Sequence, residues 1–217
     1  MTSYTPGVRS KARRGYKRAS YDYQTVHKIF DDIPMCHVGY VIDGQPYVTP
    51  TTQWRRENRL YWHGSAASRM IRHLSGGVPA CVTVSEFNGY VMARSPINHS
   101  ANFRSAMAFG TCRLIEDQGE LEEPLFHMFD HLFPGRWEDV RGNTQKELKA
   151  TSVIVMDIEE ASAKIRTGPP IDDEEDYDGI DCWAGVMPVV RSYGQPEDDP
   201  GLRDGIAFPD YLKDLEP

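Results

Sequence analysis

The sequence predicts an α+β fold, in which six antiparallel strands form a β-barrel with peripheral helices. Strand-like segments follow one another through turns too tight for parallel crossovers. Helical patterns are inserted after the third and the fifth strand, which favours an α+β barrel over a doubly wound sheet. With 217 residues, 40% of them hydrophobic, the chain can bury a sizeable core.

The strands are predicted from alternating apolar residues bounded by turn signals. Asp43-Gly44 and Asn88-Gly89 are both hairpin signals, and residues 90–94 return after the second. A last edge strand is predicted over 183–190, and the acidic stretch 169–178 is predicted to be a loop. The six barrel strands are predicted at 36–42, 46–54, 60–63, 80–87, 103–115 and 151–158.

Helices are predicted from apolar residues at helical spacing. One of them opens at Ser65, a favourable N-cap residue, and ends at Gly76-Gly77. Its apolar stripe contains Met70, Ile71 and Leu74. The other predicted helices cover residues 21–32, 121–132 and 146–150.

Charge is unevenly distributed along this chain of net charge −8. Residues 9–18 contain six Lys and Arg but no acid, whereas residues 172–178 contain six Asp and Glu. We expect a basic N-terminal arm over 1–20, a barrel domain over 21–190 and an irregular tail over 191–217. Each charge run is typical of a solvated surface, and the basic arm could instead dock on the acidic loop or on a partner subunit.

Composition excludes several classes of protein. No apolar run approaches the roughly 20 residues that cross a bilayer, and the basic N-terminus is not followed by an apolar segment, so we expect neither a membrane partner nor secretion. The overall acidity disfavours nucleic acid. The four cysteines form no CxxC pair, and His127 and His131 lack the Glu of a zinc-protease helix, so no metal is expected. Separated, buried thiols indicate a reducing, cytoplasmic setting.

The segment from His63 to Leu74 is the best candidate for binding chemistry. A strand runs into a helix through Gly64 and Ser65, and the first amides of a helix bind anions. Ser68 adds a hydroxyl and Arg69 adds a guanidinium suited to a phosphate. The alternative is an ordinary capped helix with a surface arginine. A second polar stretch, residues 90–110, is interpreted as a lid, a subunit contact or an ordinary connection.

Taken in order, several segments resemble one known family. They are CHVGYVIDGQPYVTPT, LYWHGSAASRM, ACVTVSEFNGYVMARS, NFRSAMAFG, ASAKIRTGPP and a Trp-Ala-Gly-Val segment. Over about residues 20–190 this series is similar to the flavin-nucleotide-binding branch of the pyridoxamine-phosphate-oxidase-like superfamily, which includes nitroimidazole-resistance proteins.

The resemblance implies a six-stranded split β-barrel that pairs as a homodimer, with flavin mononucleotide (FMN) in the crevice between subunits. It also implies that backbone groups of residues 49–51 meet the isoalloxazine ring, while residues 63–65 line the ribityl and phosphate end. Ser68 and Arg69 match the family's phosphate clamp, but Met70 stands where the oxidases carry Lys. The residues predicted to bind the cofactor are Thr49, Pro50, Thr51, His63, Gly64, Ser65, Ser68, Arg69, Arg104, Ser105, Lys164 and Trp183.

The leading hypothesis is a flavin-dependent oxidoreductase acting on an unidentified small molecule. The C-terminus lacks the Arg-x-His segment with which the oxidases grip their substrate, so pyridoxamine phosphate oxidation is not predicted. His63 and His99 are the candidate proton donors, and no catalytic residue is assigned. The alternatives are a non-catalytic flavin or heme binding protein, and a deazaflavin-dependent reductase that would use Arg69, Arg72 and His73.

Overall fold

The computed structural model describes residues 2–117 and 120–213 and places nine strands and five α-helices in them. The strands are β1 (Ala19–Ser20), β2 (Met35–Ile42), β3 (Gln45–Arg56), β4 (Arg59–Ser65), β5 (Pro79–Met92), β6 (Ser100–Leu114), β7 (Thr151–Asp157), β8 (Glu160–Arg166) and β9 (Gly185–Pro188). The helices are α1 (Tyr23–Asp32), α2 (Arg69–Leu74), α3 (Glu122–Leu132), α4 (Gln145–Ala150) and α5 (Glu174–Gly179).

Six of the strands close into a ring. The sheet order is β1-β8-β6-β7-β4-β3-β2-β5-β9, and a further pairing between β6 and β5 joins the two halves. The ring therefore runs β2, β3, β4, β7, β6 and β5, and all of its pairings are antiparallel. The predicted fold class, a six-stranded antiparallel split barrel of the α+β class with peripheral helices, is confirmed.

Local sequence signals explain the first elements. Asp22 caps α1 by accepting a 2.9 Å hydrogen bond from the Thr25 amide, and the helix buries its apolar face. Asp43 and Gly44 both have positive φ, at 49° and 79°, as a tight hairpin between β2 and β3 requires. The predicted helix and hairpin are therefore present.

Asn88-Gly89, by contrast, is not a hairpin. Strand β5 continues through it as one element, and a bulge shifts its register to β6 between Phe87 and Gly89. Gly89 has a φ of 149°, and a Cβ there would meet the carbonyl oxygen of Met187 in β9. The glycine therefore allows β9 to pack closely on the bulge, which is a contact between segments distant in sequence.

Two further elements of the structure differ from the secondary structure expected from the sequence. Strand β8 was not predicted, because its sequence EASAKIR contains mainly residues of low strand propensity. It pairs with β6 and buries Ala161 and Ala163. The predicted acidic loop contains the one-and-a-half-turn helix α5, and Asp172 just before it is buried in an ion pair with Arg94.

The core lies on both faces of β4 and β7. Along β4, Leu60 and Trp62 point into the barrel interior, while Tyr61 joins a second apolar cluster under α3 and α4. Strand β7 divides its side chains in the same way, with Ile154 inside and Val153 outside. These two strands are thus buried on both sides and form the rigid centre of the molecule.

Residues 2–20 pack along the barrel. The Tyr4 hydroxyl is 2.7 Å from His27 Nε2 and donates a 2.6 Å hydrogen bond to Asn58. Arg9 forms ion pairs with Glu159 and Glu160, and β1 then pairs with β8. The predicted tail over 191–217 is largely exposed up to Lys213, and its last four positions lie outside the described residues, as does Met1.

The described residues contain no helix that has both the length and the apolar character needed to cross a membrane. Cys36, Cys81, Cys112 and Cys182 are free thiols; the first and third are buried, Cys81 is partly buried and Cys182 is exposed.

Candidate functional site

The turn between β4 and α2 is built around a close approach. The Ser68 amide donates to the Ser65 carbonyl at 2.8 Å, and the Ala67 amide donates to the Ser65 hydroxyl at 3.2 Å. A Cβ on Gly64 would lie only 3.1 Å from the Cγ1 atom of Ile71, so glycine lets the helix fold back on the strand. The strand-to-helix turn predicted at this position is present.

Helix α2 begins later than predicted. Ser68, not Ser65, is its N-cap, and the helix contains only the six residues from Arg69 to Leu74. Because so short a helix has a small dipole, the helix N-terminus contributes less to anion binding than the sequence suggested. The Ser68 hydroxyl makes no capping hydrogen bond, so it is available to a ligand.

Arg69 is the cation of this turn. Its guanidinium lies over the ring of Tyr47, 5.1 Å from the centroid, and makes no ion pair with any described residue. Tyr47 in turn stacks on Tyr40, with centroids 5.6 Å apart and planes at 13°. An arginine that is positioned by an aromatic ring and not neutralised is suited to bind a phosphate.

Residues 49–51 of β3 belong to the same region. They pair with β2, whereas the pairing of β3 with β4 begins only at Gln53, which faces Trp62. The Thr49 hydroxyl is hydrogen-bonded to Tyr40 at 3.0 Å. The structure therefore connects Thr49 through Tyr40 and Tyr47 to Arg69, and the turn between β4 and α2 holds Gly64, Ser65, Ser68 and Arg69.

His63 lines a cavity of about 440 Å³ between the barrel and the segment that carries α3 and α4. Its Nδ1 atom is buried and has no hydrogen-bond partner, and burial lowers the pKa of the imidazole. Arg141 and Glu147 form an ion pair at the cavity wall. The apolar lining comes from Leu125, Met128, Phe129, Trp137, Val140 and Leu148.

A second cavity, of about 490 Å³, is lined by His73 of α2 and by residues of β2, β3 and β5. Tyr40 and Tyr47 line it together with His73, and Arg69 contacts Tyr47 beside it. Its remaining lining is mainly apolar strand residues of β2, β3 and β5, including Val41, Val48, Ala80 and Cys81. An aromatic, apolar cavity next to an unpaired arginine suits a planar ligand that carries an anionic group.

The other four predicted site residues lie elsewhere in the chain. Lys164 of β8 pairs with Ser105, near the start of β6. Ser65 of β4 pairs instead with Thr151 of β7, and Thr151 lies outside the part of β7 that pairs with the end of β6 at Leu114. Ser105 lies nine positions before Leu114, which is about 30 Å along the strand. Ser65 and Lys164 therefore lie far apart, whereas Thr49 and Pro50 align through β2 and β5 with Ala108 and Met107 of β6, close to the level of Ser105.

The second group also has different surroundings. Arg104 is bonded to both Glu86 and Asp32, so its charge is already neutralised. The Lys164 ammonium donates to the Arg14 carbonyl at 3.4 Å. Trp183 is 65% exposed, just before β9. The partners of Arg104 and Lys164 therefore come from α1, β5 and the N-terminal segment.

The two histidines named as proton donors are separate. His99 is exposed and contacts the Ser95 carbonyl at 2.9 Å, at the start of β6, whereas His63 lies in its cavity. Within residues 2–117 and 120–213, no group of three or more His, Cys, Asp or Glu side chains could hold a metal ion. Sequence reasoning did not identify either cavity, because their walls combine distant segments.

Comparisons with known proteins agree with the fold. Residues 22–165 match the family model described as pyridoxamine 5'-phosphate oxidase. The flavocytochrome Anf3 from Azotobacter vinelandii is 42% identical over 98% of this chain and 99% of its own, with a TM-score of 0.92. The FAD and heme binding protein from Mycobacterium smegmatis is 34% identical over 90% and 96%, with a TM-score of 0.83.

A more distant structure shares the fold alone. It is a proposed 5-nitroimidazole antibiotic resistance protein from Bacteroides thetaiotaomicron, 23% identical over 68% of this chain and 86% of its own, with a TM-score of 0.58. No curated protein matches the sequence significantly.

Proposed function

The chain belongs to the pyridoxamine 5'-phosphate oxidase family, and from this premise we propose that it is a flavin-dependent oxidoreductase that acts on a small molecule. The observation that carries the proposal is the Arg69 guanidinium, unpaired and positioned by Tyr47 beside the free Ser68 hydroxyl. These groups suit a flavin phosphate. When bound, the flavin supplies the redox chemistry, and the protein binds and orients it.

We further propose that the flavin lies between two copies of the chain. Arg69 and its neighbours would hold the phosphate on one subunit, and Lys164 and Trp183 of the partner copy would border the same cofactor. The separation of Ser65 from Lys164, about 30 Å along β6, supports this arrangement. The absence of the Arg-x-His segment still argues against pyridoxamine phosphate as the substrate.

The identity of the flavin is part of the proposal. The Ser68-Arg69 clamp suits the terminal phosphate of FMN, as the sequence predicts. The relative at 34% identity binds FAD and heme, which supports the dinucleotide. The second cavity, with its stacked tyrosines, offers an aromatic surface beside Arg69 on which an adenine could stack.

A heme is the second candidate cofactor. His63 faces an apolar cavity of about 440 Å³ and keeps a buried ring nitrogen without a partner. A neutral imidazole in an apolar pocket is a suitable axial ligand for heme iron. Two of the structures compared above, a flavocytochrome and an FAD and heme binding protein, favour this candidate. His63 would hold the iron, and the cavity wall would exclude water.

The test is the visible absorption spectrum of the purified, desalted protein, followed by chromatography of the released cofactor. We expect flavin bands, and a Soret band if heme is present. Arg69→Ala should lower flavin affinity at least tenfold, because a charge-assisted phosphate contact contributes about 1.5–3 kcal/mol. Arg72→Ala, an exposed position on the same helix, is the matched control and should retain flavin.

His63→Ala separates the two cofactors. It should abolish the Soret band on reconstitution with heme and leave the flavin phosphate contacts in place. A protein that takes up neither FMN nor FAD would contradict the proposed function, and equal flavin loss in Arg69→Ala and Arg72→Ala would contradict the proposed clamp.

A further inference from the structure

Near the start of β6 the molecule carries a cluster of cations that have no carboxylate partners. We call it the basic surface. Its members belong to the N-terminal segment and to β8, and all but the partly buried Lys164 are exposed. None of them makes an ion pair with any residue in the described part of the chain. They are Lys11, Arg13, Arg14, Lys17, Arg18 and Lys164.

The basic surface is fixed to the barrel. Arg9, just before it, is anchored by Glu159 and Glu160, and Ala19, just after it, pairs with Lys164 in the sheet. The Lys164 ammonium also donates to the Arg14 carbonyl, again at 3.4 Å. The cations therefore belong to a folded surface and not to a loose tail. Because their relative positions are fixed, a partner with matching negative charges can bind them together.

A buried cation beneath the cluster adds to its positive potential. Arg166 is 6% exposed, and its guanidinium donates to the Asn102 side chain and to the carbonyls of Gly168 and Pro169. Among the described residues it has no carboxylate partner, and its Nε atom has no hydrogen-bond partner there. Burial, and then the charge of Arg18, lower the pKa of Arg166. Cations kept close without an internal anion are stabilised by an external one.

We propose that the basic surface docks an acidic electron-carrier protein that reduces the flavin. This inference rests on the proposed function, because Lys164 belongs both to the basic surface and to the second group of flavin-bordering residues. A protein docked there would lie next to a flavin held between two copies. Two reduced donor molecules each lose one electron, and these electrons together with two protons from water reduce one flavin.

Charge complementarity selects this partner. The net charge of the whole sequence is −8 although the basic surface carries six cations, so the rest of the chain is acidic on balance and the basic surface is the favoured place for an acidic protein to bind. Such a patch raises association rates and makes them depend steeply on salt.

The experiment uses reduced, acidic [2Fe–2S] ferredoxin as the probe and measures flavin reduction in the flavin-loaded protein by stopped flow. The triple variant Arg13→Glu/Arg14→Glu/Lys17→Glu should lower the second-order rate constant at low salt at least tenfold. The matched control Arg113→Glu/Lys149→Glu/Arg203→Glu changes the net charge equally at exposed, unpaired positions and should stay within about twofold of wild type. Direct binding of ferredoxin is measured in parallel by fluorescence anisotropy.

The outcomes separate the two proposals. Equal rates for the two triple variants would overturn the docking surface. Loss of bound flavin in the first variant would instead place the basic surface in the cofactor site and overturn its role in docking. If the wild type binds no flavin, the proposed function fails, while salt-dependent ferredoxin binding, lost in the first variant alone, would still support docking. Preferential binding of single-stranded DNA over ferredoxin would also overturn the inference.

Discussion

Among single residues, His63 is partly buried, and its buried Nδ1 atom has no hydrogen-bond partner within the described part of the chain. Burial disfavours the imidazolium and lowers its pKa, and the partly buried His27 ring is shifted the same way by burial and then by Arg55. Both rings are therefore neutral in the folded protein at neutral pH. A neutral imidazole is also the form that can coordinate iron or accept a proton.

The lowered pKa values of His63 and His27 predict that the stability of the fold depends on pH. As pH falls through about 6.5, the unfolded chain binds a proton at each histidine before the folded chain does, so the free energy of unfolding decreases. We expect the urea midpoint of the cofactor-free protein to fall between about pH 7 and pH 5. His63→Asn should flatten that fall, whereas His99→Asn, at an exposed position, should not. Parallel curves for wild type and His63→Asn would contradict this expectation.

At the scale of elements, β6 holds the barrel together by changing partners. Its first part pairs with β8, and its last residues pair with β7. Gly110 lies between these two parts, where a Cβ would overlap the Asp157 carbonyl oxygen and crowd the Met156 side chain. The crossing of β6 from one neighbour to the other therefore depends on a missing side chain.

Gly110→Ala should consequently destabilise the fold by about 1–3 kcal/mol, the usual range for a side chain forced into a packed site. Gly142→Ala is the control, since no atom lies within 4 Å of the added Cβ. Urea unfolding of both variants measures the difference. If the two variants unfold at the same midpoint, the close approach at Gly110 is not required.

The individual strands and turns show which parts of the fold could be predicted from the sequence. The hairpin predicted at Asp43-Gly44 is present because the two turn residues alone decide its backbone geometry. The hairpin predicted at Asn88-Gly89 is wrong because the close approach of β9 decides the backbone geometry there. Strand β8 is not predictable from its sequence because buried alanines carry little strand signal. The turn holding Ser68 and Arg69 was found from sequence, but the cavity beside His63 was not, since Phe129 and Leu148 reach it from helices far along the chain.

At the scale of the whole molecule, exposed apolar side chains on β2 and β3 predict a subunit interface. Met35, Val41 and Val48 are 51%, 55% and 67% exposed, and the last two border the second cavity. Apolar groups grouped on one sheet face are typical of a surface that is covered in the assembly. This agrees with the proposed flavin site between two copies.

We therefore expect sedimentation equilibrium to give twice the chain mass of 24.6 kDa. Val48→Glu should shift the protein toward monomer and weaken flavin retention, because a buried charge in an apolar interface is costly. Val8→Glu, at a position 93% exposed on the N-terminal segment, should leave the dimer intact. A wild-type monomer that still holds flavin would contradict the two-copy site.

A flavin site that takes Arg69 from one chain and Lys164 from its partner has a consequence for inheritance. If every cofactor site takes one half from each chain, a chain damaged at Arg69 and a chain damaged at Lys164 can repair each other. In a mixed dimer one flavin site contains both altered residues, and the other site contains neither. Random pairing of equal amounts makes half the dimers mixed, so about one site in four is whole, and two inactive alleles together restore part of the activity.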